Sequence, residues 1–201
     1  MILEKATSKY NGEIVVKKAL GLGVCISVDD LTQSGGILNA IWKRTLFRVI
    51  DQKLIVKNCL VLGLGGGTVA TVLHKYWPKV KITGVDIDQE MIRLGKKYLN
   101  LRDINIKIGD AYKFVKENKK KYDLIIVDLY LGDECPEKFT SDNFINFTRS
   151  LLVRQGVVVF NRLYWGEKRK EAYKFGEKLE GYFTRVDYFY PQANLMLICH
   201  K

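Results

Sequence analysis

Residues 58–86 constrain this chain more than any other stretch. Residues 59–62 form a short apolar run of the kind that makes a parallel strand buried on both faces. Gly63, Gly65, Gly66 and Gly67 follow, a turn without side chains that lets backbone N–H groups approach a ligand closely. From 68 to 77 the apolar residues recur at helical spacing, and Pro78 marks the stop. Residues 80–85 read as a second buried strand, which ends in Asp86, 19 residues beyond Gly67. A nucleoside-binding βαβ unit places there the carboxylate that accepts both ribose hydroxyls. Strand, glycines, helix, strand and terminal acid in that order predict a nucleoside cofactor; the bland alternative is a purely structural glycine turn.

The alternation continues beyond Asp86. Asp88 is placed to cap a helix running to about residue 99, and residues 104–108 form a strand closed by Gly109 and Asp110. A helix over 111–118 and a very apolar strand over 122–129, carrying Asp128 near its end, come next. Helix 139–153, strand 157–160, helix 166–180 and two strands, 182–189 and 195–200, complete the pattern. It predicts a doubly wound α/β fold over 35–201: a seven-stranded, mostly parallel sheet with an antiparallel C-terminal edge hairpin. Residues 1–34 read as a small N-terminal β-hairpin unit with strands at 12–17 and 22–28, and 29–36 as a polar connector. Residues 37–50 read as an amphipathic helix with Ile41, Trp42, Leu46 and Val49 on one side.

Ligands in such sheets sit outside the carboxyl ends of the strands. The glycines, Asp86, Asp110, Asp128 and Asn161 all fall there. Asp110 caps the next helix, accepts an adenine amine while the Ala111 N–H meets a ring nitrogen, or does both. A carboxylate at the end of a buried strand is costly unless paired or facing a wet pocket, so Asp128 is the candidate for taking a proton from an amine or orienting a nucleophile. His74 and His200 read as surface or packing residues.

With 47% hydrophobic residues, the 201-residue chain has enough apolar material for a core without a staple. Its four scattered cysteines, without Cys-x-x-Cys, point to no metal and no disulfides, and to a reducing cytoplasm. No signal-peptide layout or membrane-length apolar run is present, so no membrane association is expected. The net charge of +11 sits largely in lysines at 113–121 and 168–178. On helices these are ordinarily solvated faces; the alternative is nucleic acid or another anionic partner.

The glycine turn is not the pyrophosphate-binding Gly-x-Gly-x-x-Gly, because position 68 is Thr; it is similar to the S-adenosylmethionine-binding turn of class I methyltransferases. Together, Leu-Gly-Leu-Gly-Gly-Gly-Thr, Val-Asp-Ile-Asp, Ile-Gly-Asp-Ala, Tyr-Asp-Leu-Ile-Ile-Val-Asp and Phe-Thr-Ser-Asp-Asn-Phe resemble the signatures of the spermidine synthase (polyamine aminopropyltransferase) family. The turn with Thr68 is read as holding the methionine end, and the resemblance implies that Asp86, beside Ile87, binds ribose and that Asp110, beside Ala111, binds adenine. It also implies that Gln33 touches the cofactor and that Asp128 is the candidate base, which Tyr130 is read as joining in orienting the nucleophile. A homodimer is implied as well. The departures are Thr68 where aminopropyltransferases carry an acid, Leu131 where they carry a second acid, no Tyr-His pair in 37–44, and a chain that ends at the sheet.

An acid at position 68 would hold the lone ammonium of decarboxylated S-adenosylmethionine and repel the carboxylate of the intact molecule; Thr repels neither and can donate a hydrogen bond. The sequence therefore favours methyl transfer from S-adenosylmethionine to an amine or other nucleophile, on a small molecule or a protein. Aminopropyl transfer from the decarboxylated form is the runner-up, and an inactive cofactor-binding or nucleic-acid-binding subunit the third reading. The acids Asp128, Asp133, Glu134 and Glu137, with no base at 128–137, could attract an amine.

Overall fold

The structure, a computed structural model, describes residues 1–51 and 54–201. The chain opens with β1 (Ile2–Ser8), β2 (Gly12–Ala19), β3 (Gly23–Val28) and β4 (Leu31–Gly35), an antiparallel sheet in that order. The expected hairpin is thus the centre of a four-stranded sheet, and most of the expected polar connector is its last strand. Asp29 and Asp30 turn β3 into β4 with φ of 46° and 61°. A two-residue hairpin needs this left-handed pair, and Asp tolerates it better than most residues.

The main unit follows as α1 (Leu38–Asp51), β5 (Asn58–Leu62), α2 (Thr68–Tyr76), β6 (Lys81–Asp86), α3 (Gln89–Tyr98) and β7 (Ile104–Ile108). It continues as α4 (Ala111–Glu117), β8 (Tyr122–Val127), α5 (Asp142–Ser150), β9 (Leu152–Leu163), α6 (Lys168–Glu180), β10 (Arg185–Phe189) and β11 (Asn194–His200). The seven strands lie in the order β10-β11-β9-β8-β5-β6-β7. β5 to β9 pair in parallel, and β11 runs antiparallel to both β9 and β10. This is the doubly wound sheet with an antiparallel edge that the alternation predicts.

Boundaries moved where local hydrogen bonds override periodicity. The helix expected over 139–153 becomes a 3₁₀ turn at Glu137–Thr140 and then α5, because the Ser141 hydroxyl accepts the Phe144 N–H and restarts the helix. It stops early because Leu152 already pairs with Tyr122 in the sheet. The strand expected at 182 begins at Arg185, since the Tyr182 and Phe183 N–H groups still bond the Leu179 carbonyl.

Side chains alternate across the sheet with a period of two. Cys59 and Val61 of β5 face a core that contains Trp42, Leu46 and Leu73, under α1 and α2. Leu60 and Leu62 face the opposite core, with Phe144, Phe160 and Leu179 under α5 and α6. A third cluster, Ile14, Val16 and Ile26 against Met91 and Leu94, seats the N-terminal sheet on α3. Glu4 of β1 clamps the same contact, accepting from Tyr98 at 2.6 Å and Lys97 at 2.7 Å and pairing with Arg93. The bonds from Lys97, Tyr98 and Arg93 hold the Glu4 carboxyl down at about 2.

The strand order reverses between β5 and β8, and the crevice outside that switch point is where a doubly wound sheet takes its ligand. β4 and the β1–β2 turn roof it. Among the described residues, no helix is long and apolar enough to cross a membrane.

Candidate active site

The turn after β5 has a tight geometry. Gly63 has φ of 82°, and a Cβ built there would meet the Asp128 carbonyl oxygen at 1.9 Å. Only glycine lets the ends of β5 and β8 approach this closely. The Gly65 N–H donates to Asp86 Oδ2 at 2.6 Å, while the Asp88 N–H donates to Asp86 Oδ1 at 2.8 Å. Both oxygens of Asp86 are thus pinned by main chain, with lone pairs left over for a ligand. Burial raises the pKa of this carboxyl, and the two N–H groups pull it back.

Above the turn lies a cavity of about 440 Å³. Gln33, Gly63, Gly65, Thr68, Asp86, Ile87, Asp110, Ala111, Asp128 and Tyr130 all border it. Gly66 and Gly67 are not on its wall. The Gly66 N–H donates to the Ser34 hydroxyl at 2.7 Å, and a Cβ on Gly67 would meet Leu101 at 2.5 Å. These two glycines shape the turn and seat β4 rather than offer main chain to a ligand. The Thr68 hydroxyl accepts the Gly35 N–H at 2.6 Å, so one lone pair serves β4, and its proton and second lone pair remain. Gln33 Nε2 donates to the Gly132 carbonyl at 2.9 Å, which leaves the amide oxygen for a ligand.

Asp110 caps α4 by accepting the Lys113 N–H at 2.9 Å, and its other oxygen takes Lys138 Nζ at 2.5 Å. Burial opposes ionisation here, but Lys138 and the cap together hold the carboxyl below its ordinary range. Ala111 opens α4, so its N–H has no partner within the helix.

Asp128 lies at the end of β8 in a chain of amides. Asn194 Nδ2 donates to Asn161 Oδ1 at 2.8 Å, and Asn161 Nδ2 donates to Asp128 Oδ1 at 2.8 Å. Because Asn194 occupies the Asn161 oxygen, the Asn161 amide must present its nitrogen to Asp128. Burial lifts the Asp128 carboxyl to about 6, the bond from Asn161 draws it down, and the Asp86 charge adds to the rise. A carboxylate poised near neutrality is suited to exchanging protons with an amine.

Two expectations change. The Tyr130 hydroxyl donates to the Asn161 carbonyl at 3.1 Å and accepts the Leu163 N–H at 2.9 Å, and burial raises its pKa. It holds the end of β9, and only its ring is left for a substrate. Of the acids at 128–137, Asp128 borders the cavity, whereas Asp133, Glu134 and Glu137 do not. Lys168 of α6 pairs with Asp133 at 3.1 Å and Glu134 at 2.7 Å, away from the wall.

Sequence reading missed Asn194, Lys138, Trp165 and Tyr10 as wall residues. Asn194 had a usable signal: it opens the last strand, and an antiparallel strand begins at the edge where the parallel ones end. Lys138 comes from the short 3₁₀ turn and Tyr10 from the β1–β2 turn, neither of which periodicity encodes.

Residues 49–193 match the model of the spermine/spermidine synthase domain. The chain belongs to the spermine/spermidine synthase family. This family member is 37% identical to a probable polyamine aminopropyl transferase of Bifidobacterium longum, over 71% of the chain and 32% of that protein. It is also 26% identical to the mouse eEF1A lysine and N-terminal methyltransferase, over 70% of the chain and 22% of that protein. The chain spans 18–44% of the length of the first curated relatives it matches. Its fold is that of a probable spermidine synthase from Corynebacterium glutamicum, with a TM-score of 0.79 and 20% identity, covering 100% of this chain and 79% of the other.

Proposed function

We propose that this member of the spermine/spermidine synthase family is an S-adenosylmethionine-dependent methyltransferase whose acceptor is an amine. The wall suits an S-adenosyl group: a carboxylate fixed by main chain at Asp86, a second at Asp110 beside the Ala111 N–H, and side-chain-free surface at Gly63 and Gly65, whose N–H groups are taken by Val85 and Asp86. The observation that carries methyl over aminopropyl transfer is Thr68. It borders the cavity at the start of α2, neutral and only 6% exposed, with its hydroxyl engaged by Gly35. A carboxyl-bearing donor meets no opposing charge there, and an ammonium finds no carboxylate. When bound, S-adenosylmethionine supplies a methyl carbon on a sulfonium: the amine lone pair forms the N–C bond while the C–S bond breaks, its electron pair staying on sulfur. Asp128 takes the proton that the acceptor nitrogen gives up, and the Asn161–Asn194 amides hold it in place.

The runner-up, aminopropyl transfer, draws on the aminopropyltransferase relatives. Calorimetric titration with S-adenosylmethionine and with its decarboxylated form separates the two. Tighter binding of the intact donor supports methyl transfer; preference for the decarboxylated form reverses the assignment.

A further inference from the structure

The strand order divides the cavity. The ends of β5, β6 and β7 carry the glycine turn, Asp86 and Asp110, and so form its nucleoside half. The other half lies beyond Asp128, over the ends of β8 and β9 and the start of β11, under β4 and α1. Among the described residues, Asp128 is the one charged side chain deep in that half. Around it stand the amides of Gln33, Asn161 and Asn194 and the apolar faces of Trp42, Leu131 and Trp165. The remaining acids of the wall are committed elsewhere. Asp86 is held by two N–H groups, Asp110 by Lys138, and Asp30 sits fully exposed at the rim, 3.7 Å from Lys17.

Resting on the assignment of Asp128 to the acceptor amine, we propose that the acceptor is a small-molecule monoamine with an uncharged chain, not a diamine or polyamine. One ammonium is matched by one carboxylate, and the chain lies against tryptophan and leucine, where apolar burial is favourable. A second ammonium a few carbons along the chain would come opposite Leu131 or Trp165, where no carboxylate borders the cavity, and would give up part of its hydration without a partner on the wall. A second ammonium that bends out to Asp30 instead meets an exposed acid already beside a lysine, where a surface pair contributes little.

Calorimetry on the whole chain, with and without saturating S-adenosylhomocysteine, tests this with n-hexylamine and 1,6-diaminohexane, which share a carbon chain and differ in one amine. Hexylamine is expected to bind at least about tenfold more tightly than the diamine. Leu131→Glu, which places a second carboxyl on the acceptor wall, is expected to reverse that order. Equal or tighter binding of the diamine to the unaltered chain overturns the proposal, and so does failure of both amines to bind. A separate titration with S-adenosylmethionine reads the donor site alone, so a failed methyltransferase assignment is distinguished from a failed acceptor class.

Discussion

Asp128→Asn is expected to make the protein more stable at alkaline pH while weakening group transfer. Folding lifts this carboxyl from its ordinary 3.8 to about 6, mainly through burial. The folded state therefore keeps a proton between those values that the unfolded chain releases, so stability falls as pH rises through that window and stays low above it. At about 1.4 kcal/mol per pH unit the rise is worth about 3 kcal/mol. Water entering the cavity lowers this, leaving about 1–3 kcal/mol. The Asn variant carries no charge, and its amide oxygen still accepts from Asn161 Nδ2, so it escapes the penalty with the same packing. Urea unfolding at about pH 4, 6 and 8, followed by tryptophan fluorescence, gives the comparison. The variant should exceed the unaltered protein by about 1–3 kcal/mol at pH 8, the gap closing by pH 4. A gap independent of pH, or a variant less stable at pH 8, refutes the claim that burial of this charge is a net cost.

Asn161→Leu removes the one bond that draws the Asp128 carboxyl down, a charge-assisted contact worth about 1.5–3 kcal/mol. The acidic limb of kcat/KM should then move up by about 1–2 pH units, and an unmoved limb would show that Asp128 is not the group that must be ionised. Gly63→Ala drives a Cβ into the Asp128 carbonyl at φ of 82° and should cost about 2–5 kcal/mol in the same unfolding assay. Gly132→Ala is the control: its φ is also positive, at 61°, but nothing lies within 4 Å of the added carbon, and a loss near 1 kcal/mol is expected.

What could be read from the sequence was whatever local pattern encodes. The apolar runs of β5, β6 and β8 are set by burial on both faces, which leaves a continuous signature, and the acids stand at or just past the ends of β6, β7 and β8. Asp86, Asp110 and Asp128 therefore arrive on one cavity wall, as topology demands. The hydrogen-bonding state of each group was not legible. That Thr68 serves Gly35, that the Tyr130 hydroxyl closes on β9 and that Asp110 is paired with Lys138 all depend on partners 28 to 33 residues away. β4 was missed for a related reason: Leu-Thr-Gln-Ser-Gly is polar because its side chains serve the glycine turn rather than a core.

This last point makes the N-terminal sheet part of the site. Three contacts join β4 to the segments that define the cavity: Ser34 to the Gly66 N–H, the Gly35 N–H to Thr68, and Gln33 to the Gly132 carbonyl. A fourth ties the β1–β2 turn down, where Asn11 Nδ2 donates to Asp88 Oδ2 at 2.7 Å, next to the acid that anchors Gly65. A Cβ on Gly66 would strike Ser34 and Ile26 at 2.8 and 2.9 Å, so the bareness of the turn is what admits the sheet. The division at residue 34 suggested by the strand pattern therefore runs between neighbours, Ser34 and Gly35, that each bond the glycine turn or the helix start behind it. Hydrogen bonding across that line couples docking of the N-terminal sheet to the shape of the cavity. The polar residues of β4 thus act on the cavity through the backbone they fix as well as through the wall they form.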